Sequence, residues 1–465
     1  MDRQDENKII VNKNRFMKKY HFLFLSLLIT TALSAQTPGW KNLFDGKTLR
    51  GWHQLNGKAK YEVVNGAIVG TTVTGEPNSF LATDQDYGDF ILELELKVGD
   101  MNSGIQIRSL SLPEFNNGRV HGYQVEVDPS DRAWSGGIYD EARRGWMYQT
   151  EMNPAAKKAF IKTGWNKYRI EAIGPVIRTW INEVPVTYMV DDMTLKGFIA
   201  LQVHSVKERA GGAQIHWRNI RIQTGAAMKP RPLDLSTPVA NYTLNTISPQ
   251  EKAQGFTLLF NGKDLTGWRG VSKTTPPDGW VVEDGILHIL PSDTTGPKHG
   301  DLLTVNQYKA FELNFEFKIT EGANSGVKYF VTEPPGAQRA GLGLEYQILD
   351  DERHPDAKLG VAGNRTLGSL YDMIPSNKVE PRFQKKIGEW NQGKIIVYPN
   401  NIIQHWLNGF KVVEYERGSN IYKVLVAHSK YDKHKNFGMG EMTPILLQDH
   451  NNSVFFKNIK IREIK

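Results

Sequence analysis

Three kinds of polar side chain stand in strand-like runs where apolar residues would be expected. The first is a carboxylate set two residues from an amide. Gln124 and Glu126 occur in Gly122-Tyr123-Gln124-Val125-Glu126-Val127-Asp128, and Glu345 and Gln347 in Gly343-Leu344-Glu345-Tyr346-Gln347-Ile348-Leu349-Asp350. Residues two apart on a strand point to one face, so each pair converges, with the two side chains in swapped order. A carboxylate beside an amide suits a general base held by a neutral partner, or two oxygen ligands for a divalent cation. The second kind is the histidine that closes Gln202-Val203-His204 and Gln448-Asp449-His450. Alternation places glutamine and histidine on one face, where the imidazole serves as acid, base or ligand. Asp449 is able to orient a histidine or bind a metal ion, and Val203 in the other copy is not. The third kind is the step Tyr139-Asp140, repeated as Tyr371-Asp372. Arg108 and Lys328 follow the two Asn-Ser-Gly turns, where a cation would stabilise an oxyanion.

These residues come in twos because the chain repeats itself. Leu43-Phe44-Asp45-Gly46-Lys47 through Gly51-Trp52 answers to Leu259-Phe260-Asn261-Gly262-Lys263 through Gly267-Trp268. Asn102-Ser103-Gly104, Trp165-Asn166 and a closing Asn219-Ile220-Arg221-Ile222 recur in order as Asn324-Ser325-Gly326, Trp390-Asn391 and Asn458-Ile459-Lys460-Ile461. A period this long marks two whole domains, 39–224 and 253–465. Phe90–Val98 and Phe311–Ile319 alternate apolar and polar residues at the period of a half-buried strand. Asn408-Gly409 reads as a tight hairpin turn, and Asn182-Glu183 as a weaker counterpart. Short strands, frequent glycines and few helical periods predict an all-β chain of two tandem sandwiches. Residues 225–252 carry Pro230, Pro232, Pro238 and Pro249 and read as a linker, with a short capped helix starting at Ser248. Asp131–Gln149 and Asp351–Lys385 read as irregular loops that build a binding face.

The chain has 465 residues, no cysteine and a formal charge of +7. Without cysteine there is no disulfide, thiolate metal site, thiol nucleophile or lipidated N-terminal cysteine. The first 35 residues hold six Lys/Arg against three Asp/Glu, so the remainder carries +4 without any long basic run. Nucleic acid binding usually needs a clustered basic face and is not expected. Lys18-Lys19 followed by an apolar run from Phe22 to Ile29 and small residues up to Ala35 reads as a secretory signal peptide. It spans residues 1–35 including an extended polar N-terminus, and Met17 is an alternative start. The mature chain is then exported, periplasmic or secreted, not a lipoprotein and without a transmembrane anchor.

The ordered set of motifs resembles the 3-keto-disaccharide hydrolase domain family over both halves of the chain. The resemblance implies a concanavalin A-like jelly roll in each half, acting on an oligosaccharide or glycoside whose C3 hydroxyl is already a ketone. A 3-keto group acidifies the C2 proton, because the carbanion delocalises into an enolate. A base then removes the proton, the C1 oxygen leaves by β-elimination, and water adds back. Such a site needs a base near C2, a cation on O3 and an acid near the leaving oxygen, rather than two opposed carboxylates. Glu345 or Glu126 would be the base, His450 or His204 an acid, base or ligand, and Lys328 or Arg108 the cation. Tyr371 and Tyr139 complete the catalytic candidates with Asp449. Gln347, Gln448, Gln124, Gln202, Asp372 and Asp140 are substrate-binding candidates, with Trp134 and Trp146 as a sugar platform. Glu345 and His450 are the candidate ligands if a divalent metal ion takes part. No dinucleotide fingerprint follows a strand, so no nucleotide cofactor is expected and a separate 3-dehydrogenase would supply the ketone. The second copy keeps the family's Leu-Gln-Asp-His and is the favoured catalytic half. The alternative is a tandem, non-catalytic carbohydrate-binding protein.

Overall fold

The computed structural model describes residues 39–207, 211–291, 299–378 and 383–465, of which Gly39–Lys465 form one compact unit. The export segment expected over residues 1–35 lies outside the described residues. Among those described, the chain is almost entirely β. A nine-stranded and a seven-stranded sheet make the first sandwich, and an eight-stranded and a five-stranded sheet the second.

The repeat in sequence is a repeat in topology. Phe90–Val98 lies between Asn166–Ile173 and Gln214–Thr224, and Phe311–Ile319 lies between Asn391–Val397 and Val454–Glu463. Their alternation has the expected consequence. Phe90, Leu92, Leu94, Leu96 and Val98 enter one core, and Phe311, Leu313, Phe315, Phe317 and Ile319 the other. Each such side chain contributes about 1.5–3 kcal/mol by leaving water. The intervening carboxylates face outward into pairs, Glu93 with Arg169 and Arg221, and Glu312 with Arg462 and Lys394.

The opening motif of each repeat is a structural clamp. Trp52 Nε1 donates to the Leu43 carbonyl at 2.8 Å, and Trp268 Nε1 donates to that of Leu259 at 2.7 Å. Asp45 and Asn261 each accept two backbone N–H groups of the following turn. The later tryptophans, Trp165 and Trp390, are half-buried instead of core, each beneath cations: Arg218 and Lys97, and Lys457 and Lys318.

Both hairpin turns form. Asn408 and Gly409 have φ of 49° and 85°, the two left-handed residues of a tight turn. Asn182 and Glu183 adopt 47° and 71°, so the weaker signal makes the same turn with a glutamate in a glycine-like conformation. Asp131–Gln149, expected as irregular, contains a two-stranded ladder of Ile138–Glu141 and Gly145–Tyr148. The positive φ of Ala142 and Gly145 reverses the chain there, and the Tyr139 and Trp146 rings pack across it at 5.0 Å.

The proline-containing stretch between the repeats is fastened to both sandwiches. Val239–Asn241 pairs in parallel with Val184–Val190 as an edge strand of the first. The helix Pro249–Ala253 has the expected capping box, Ser248 with Glu251. Glu251 also receives Lys460 Nζ of the second sandwich at 2.6 Å, and Asn245 exchanges backbone–side-chain hydrogen bonds with Asn458.

Candidate active site

One sheet of each sandwich carries a buried polar cluster on three adjacent strands. In the second domain the strands are Leu342–Leu349, Asn324–Thr332 and Leu446–Leu447, the last continuing into Gln448. Lys328 lies directly opposite Glu345, and Gly326 opposite Gln347. Burial leaves Glu345 3% exposed, Lys328 7% and Gln347 1%. Lys328 Nζ is 3.9 Å from Glu345 Oε2 and 4.0 Å from Asp301 Oδ2, so one ammonium sits between two carboxylates. The Gln448 amide lies between the pair, and with its nitrogen assigned to the Glu345 side, the orientation that satisfies both neighbours, it donates to Glu345 Oε1 at 3.0 Å and accepts from Lys328 Nζ at 3.1 Å. Burial raises the Glu345 pKa, against the pull of Lys328 and Lys430. Burial likewise raises Asp301, opposed chiefly by Lys328. Such a carboxyl is poised to take up a proton, as a general base must.

The glycine of Asn324-Ser325-Gly326 has a specific reason. A Cβ there would lie 2.3 Å from Glu345 Oε1, because the glutamate side chain lies over that backbone. At Gly104 it would meet the Gln124 amide carbon at 2.4 Å. Gly326→Ala is expected to push Glu345 off its position and lower kcat at least about tenfold, while the melting temperature falls by only a few degrees. Kinetics and thermal melts of the same preparation check this.

Around this cluster lie the expected Tyr371, Asp372 and Asp449, together with Asp356, Arg365, Lys430 and His299, which the sequence did not reveal. Tyr371, in the segment beside Glu345, donates its hydroxyl to Asp356 Oδ2 at 2.8 Å. Arg365 binds Asp356 at 2.8 Å and Asp372 at 2.7 Å, fixing both carboxylates. Lys430 holds its ammonium 4.2 Å from the Tyr371 ring centre and 5.2 Å from that of Tyr431. Among the described residues Lys430 Nζ has no hydrogen-bond acceptor or ion pair. Lys430 is exposed at the edge of the cluster; partial desolvation of its ammonium lowers its pKa, and Glu345 works against that shift. Burial raises the Tyr371 pKa, reinforced by Asp356, so the phenol stays protonated. Asp449 is buried and accepts from Gly300 N at 2.9 Å, with His299 Nδ1 at 2.7 Å. Its backbone N–H donates to Asp301 at 3.0 Å. The histidine beside Asp449 is therefore His299, which the sequence analysis did not name, and not its neighbour His450. The signal was available, since Asp449 differs from Val203 and a buried aspartate needs a partner.

The first domain builds the same frame with other side chains. Gln106 lies opposite Gln124, and Gly104 opposite Glu126. The register therefore equates Gln124 with Glu345, Glu126 with Gln347 and Gln106 with Lys328. Glu126 accepts from Asn102 at 2.5 Å and from Gln124 at 2.9 Å, with Arg132 at 3.7 Å. Gln106 and Gln202 both donate to Gln124 Oε1, at 2.7 and 2.8 Å. Tyr139 pairs opposite Gln124, as Tyr371 sits beside Glu345. Asp140 is buried under Arg143 and Arg144. Phe80, Asn78 and Val203 stand where the second domain has Asp301, His299 and Asp449.

Burial raises the Glu126 pKa to about 7 from an ordinary 4.5, against hydrogen bonds from Asn102 and Gln124. The folded chain therefore keeps this proton to higher pH than the unfolded chain does. Stability falls as pH rises from 4.5 to about 7 and is level above. Glu126→Gln should flatten that slope and recover up to ~3 kcal/mol at pH 8, read by urea unfolding at pH 5 and pH 8.

Several expected site residues fall elsewhere. Arg108 does not match Lys328 in register. Its side chain is wholly buried and donates to the Gly88 and Gly174 carbonyls at 2.8 and 2.7 Å and to Asp89 at 3.0 Å. It braces loops and supplies no oxyanion cation. His204 turns its Nδ1 to the carbonyl of its neighbour Ser205, and His450 is exposed with its ring 6.0 Å from His354. Strand alternation no longer applies there, because the strands end at Val203 and Leu447. Gln448 and Asp449 are both turned inward and His450 outward. Among the described residues no three His, Cys, Asp or Glu side chains converge as ligands, around Glu345 and His450 or elsewhere. Trp134 is fully buried, packed with Trp146 against Phe383 and Phe410 of the second domain, with Arg132 4.2 Å above its ring. It joins the domains and offers no open platform for a sugar.

The sequence model of the 3-keto-alpha-glucoside-1,2-lyase-like domain matches residues 39–223 and again 255–462. A 3-keto-disaccharide hydrolase of Bacteroides thetaiotaomicron is 36% identical over 233 residues, covering 45% of this chain and 79% of that protein. A crystal structure from Parabacteroides distasonis, described as a glycosyl hydrolase candidate, is 34% identical with a TM-score of 0.43, covering 48% of this chain and all of that one. The carbohydrate-binding module CBM66 of Bacillus subtilis is 16% identical with a TM-score of 0.26, covering 37% and 96%. The chain is a hydrolase of the glycoside hydrolase type. The chain belongs to the 3-keto-alpha-glucoside-1,2-lyase-like domain family and carries two tandem copies of that domain.

Proposed function

We propose that the second domain cleaves 3-keto-glycosides by removing the C2 proton and eliminating the C1 oxygen. The observation that carries this is Glu345, buried between Lys328 and Gln448, with the uncommitted Lys430 as a second cation. Glu345 takes the proton from C2, and the C2–H electrons form the enolate, whose charge rests on O3. Lys430 meets that charge, because its N–H groups have no acceptor among the described residues. Lys328 has its donors on Gly341 and Gln448, and so holds the base rather than the oxyanion. The enolate collapses, the C1–O bond breaks, and the departing oxygen takes its proton from water, while Tyr371, its one hydroxyl hydrogen held by Asp356, lines the site. Water then adds hydroxide to C1 and a proton to C2 of the enone, so the balance is hydrolysis. A pocket of fixed charges around a developing enolate supplies the largest part of such catalysis. Incubation of the full chain with a purified 3-keto-disaccharide should release free sugar; no release, with or without added divalent metal, rejects the proposal.

The first domain serves as a binding domain in this account. It has Gln124 where the base would be, and Gln106 and Phe80 in place of Lys328 and Asp301. Export is part of the proposal, on the strength of the Lys18-Lys19 pair and the apolar run after it. No helix among the described residues is long and apolar enough to cross a membrane. A separate dehydrogenase that oxidises C3 would supply the substrate.

A further inference from the structure

We propose that the cleft between the two sandwiches is a second saccharide site, separate from the Glu345 cluster, for a neutral unoxidised oligosaccharide. Only its ligand class rests on the function proposed above. The cleft has a volume of about 670 Å³, within the range of small-ligand sites. One wall is the outer face of the second domain's eight-stranded sheet, with Trp406, Tyr398, Gln404 and Asn314. The other is formed by the interdomain segment and the first domain, where Leu235 is 50% exposed.

The wall chemistry selects the ligand. The buried carboxylates are already matched: Glu312 by Arg462 and Lys394, Glu316 by Lys457 and Asn458, and Glu251 by Lys460. An ion would have to break one of these pairs, whereas a neutral polyol would not. Asn314 lines the cleft half-buried, and its Oδ1, shielded from solvent and without a hydrogen-bond partner, reaches a ligand donor once its side chain rotates. The half-buried Trp406 ring is held by its own Nε1 donating to Gln404 Oε1 at 2.9 Å. Aromatic faces, amides and a lone acceptor are what a sugar's C–H faces and hydroxyls require.

The test is calorimetric titration of the full chain with neutral α- and β-linked glucose trisaccharides, beside turnover of a 3-keto-disaccharide. Trp406→Ala should weaken binding about tenfold or more. Leu235→Trp, which fills the cleft from an exposed position on the far wall, should do the same if Trp406→Ala proves unstable. Glu345→Ala should bind as the parent does, and both cleft variants should keep turnover within about twofold. Absence of binding by the whole panel, binding indifferent to both cleft variants, or binding lost with Glu345→Ala would overturn the inference. Turnover is read independently, so failure of the cleft and failure of the proposed reaction give different results.

Discussion

Glu345→Gln is expected to lower kcat on a 3-keto-disaccharide about 10³-fold, with KM changed by no more than a few-fold. The substitution keeps the size of the side chain and its contact with Gln448, but removes the carboxylate proposed to accept the C2 proton. Binding is shared with Gln347, Lys430 and Tyr371 and should persist. The parent's kcat/KM should rise with pH through a midpoint above the ordinary carboxylate range, because burial raises the Glu345 pKa and only its ionised form is a base. The residual activity of the variant should lack that limb. A loss of only a few-fold in kcat would remove Glu345 from the reaction.

Lys328→Met should cost about 10²-fold in kcat and move the acid limb to higher pH. The ammonium lies 3.9 Å from Glu345 and 4.0 Å from Asp301, and both raised pKa values are held down chiefly by it. Without it, two buried carboxyls compete for protons, and the base stays protonated at neutral pH. Removing one partner of a buried charge cluster also destabilises, here by about 3–5 kcal/mol where the remaining groups stay ionised. Thermal melts at pH 6 and pH 8 separate the two effects, since protonation relieves the strain at lower pH. An acid limb that does not move in Lys328→Met would show that this cation does not tune the base.

The sandwich architecture and the repeat were legible because both rest on local rules. Alternation in Phe90–Val98 and Phe311–Ile319 fixes which face is buried, and Asn408-Gly409 fixes a turn. Gln124, Glu126, Glu345 and Gln347 were found by the same rule, as polar residues on strand faces that turn out to be buried. The errors fall where the chain leaves regular structure. Alternation places His204 and His450 on the glutamine face, but the strands end one residue before the first and three before the second. Arg108 was matched to Lys328 by proximity to a turn, whereas strand register matches Gln106. Lys430, Asp356 and Arg365 come from long loops of the second domain with no counterpart in the first, so the internal comparison was silent on them. His299 and Asp301 lie some 150 residues from Asp449, and only strand pairing brings them together.

Removal of the C2 proton is the central claim, and turnover in D₂O tests it directly. The sugar released from the 3-keto portion should carry deuterium at C2, above a no-enzyme control, and Glu345→Gln should abolish that excess. Rapid release of sugar with only hydrogen at C2 would contradict the account, because cleavage would then proceed without an enolate.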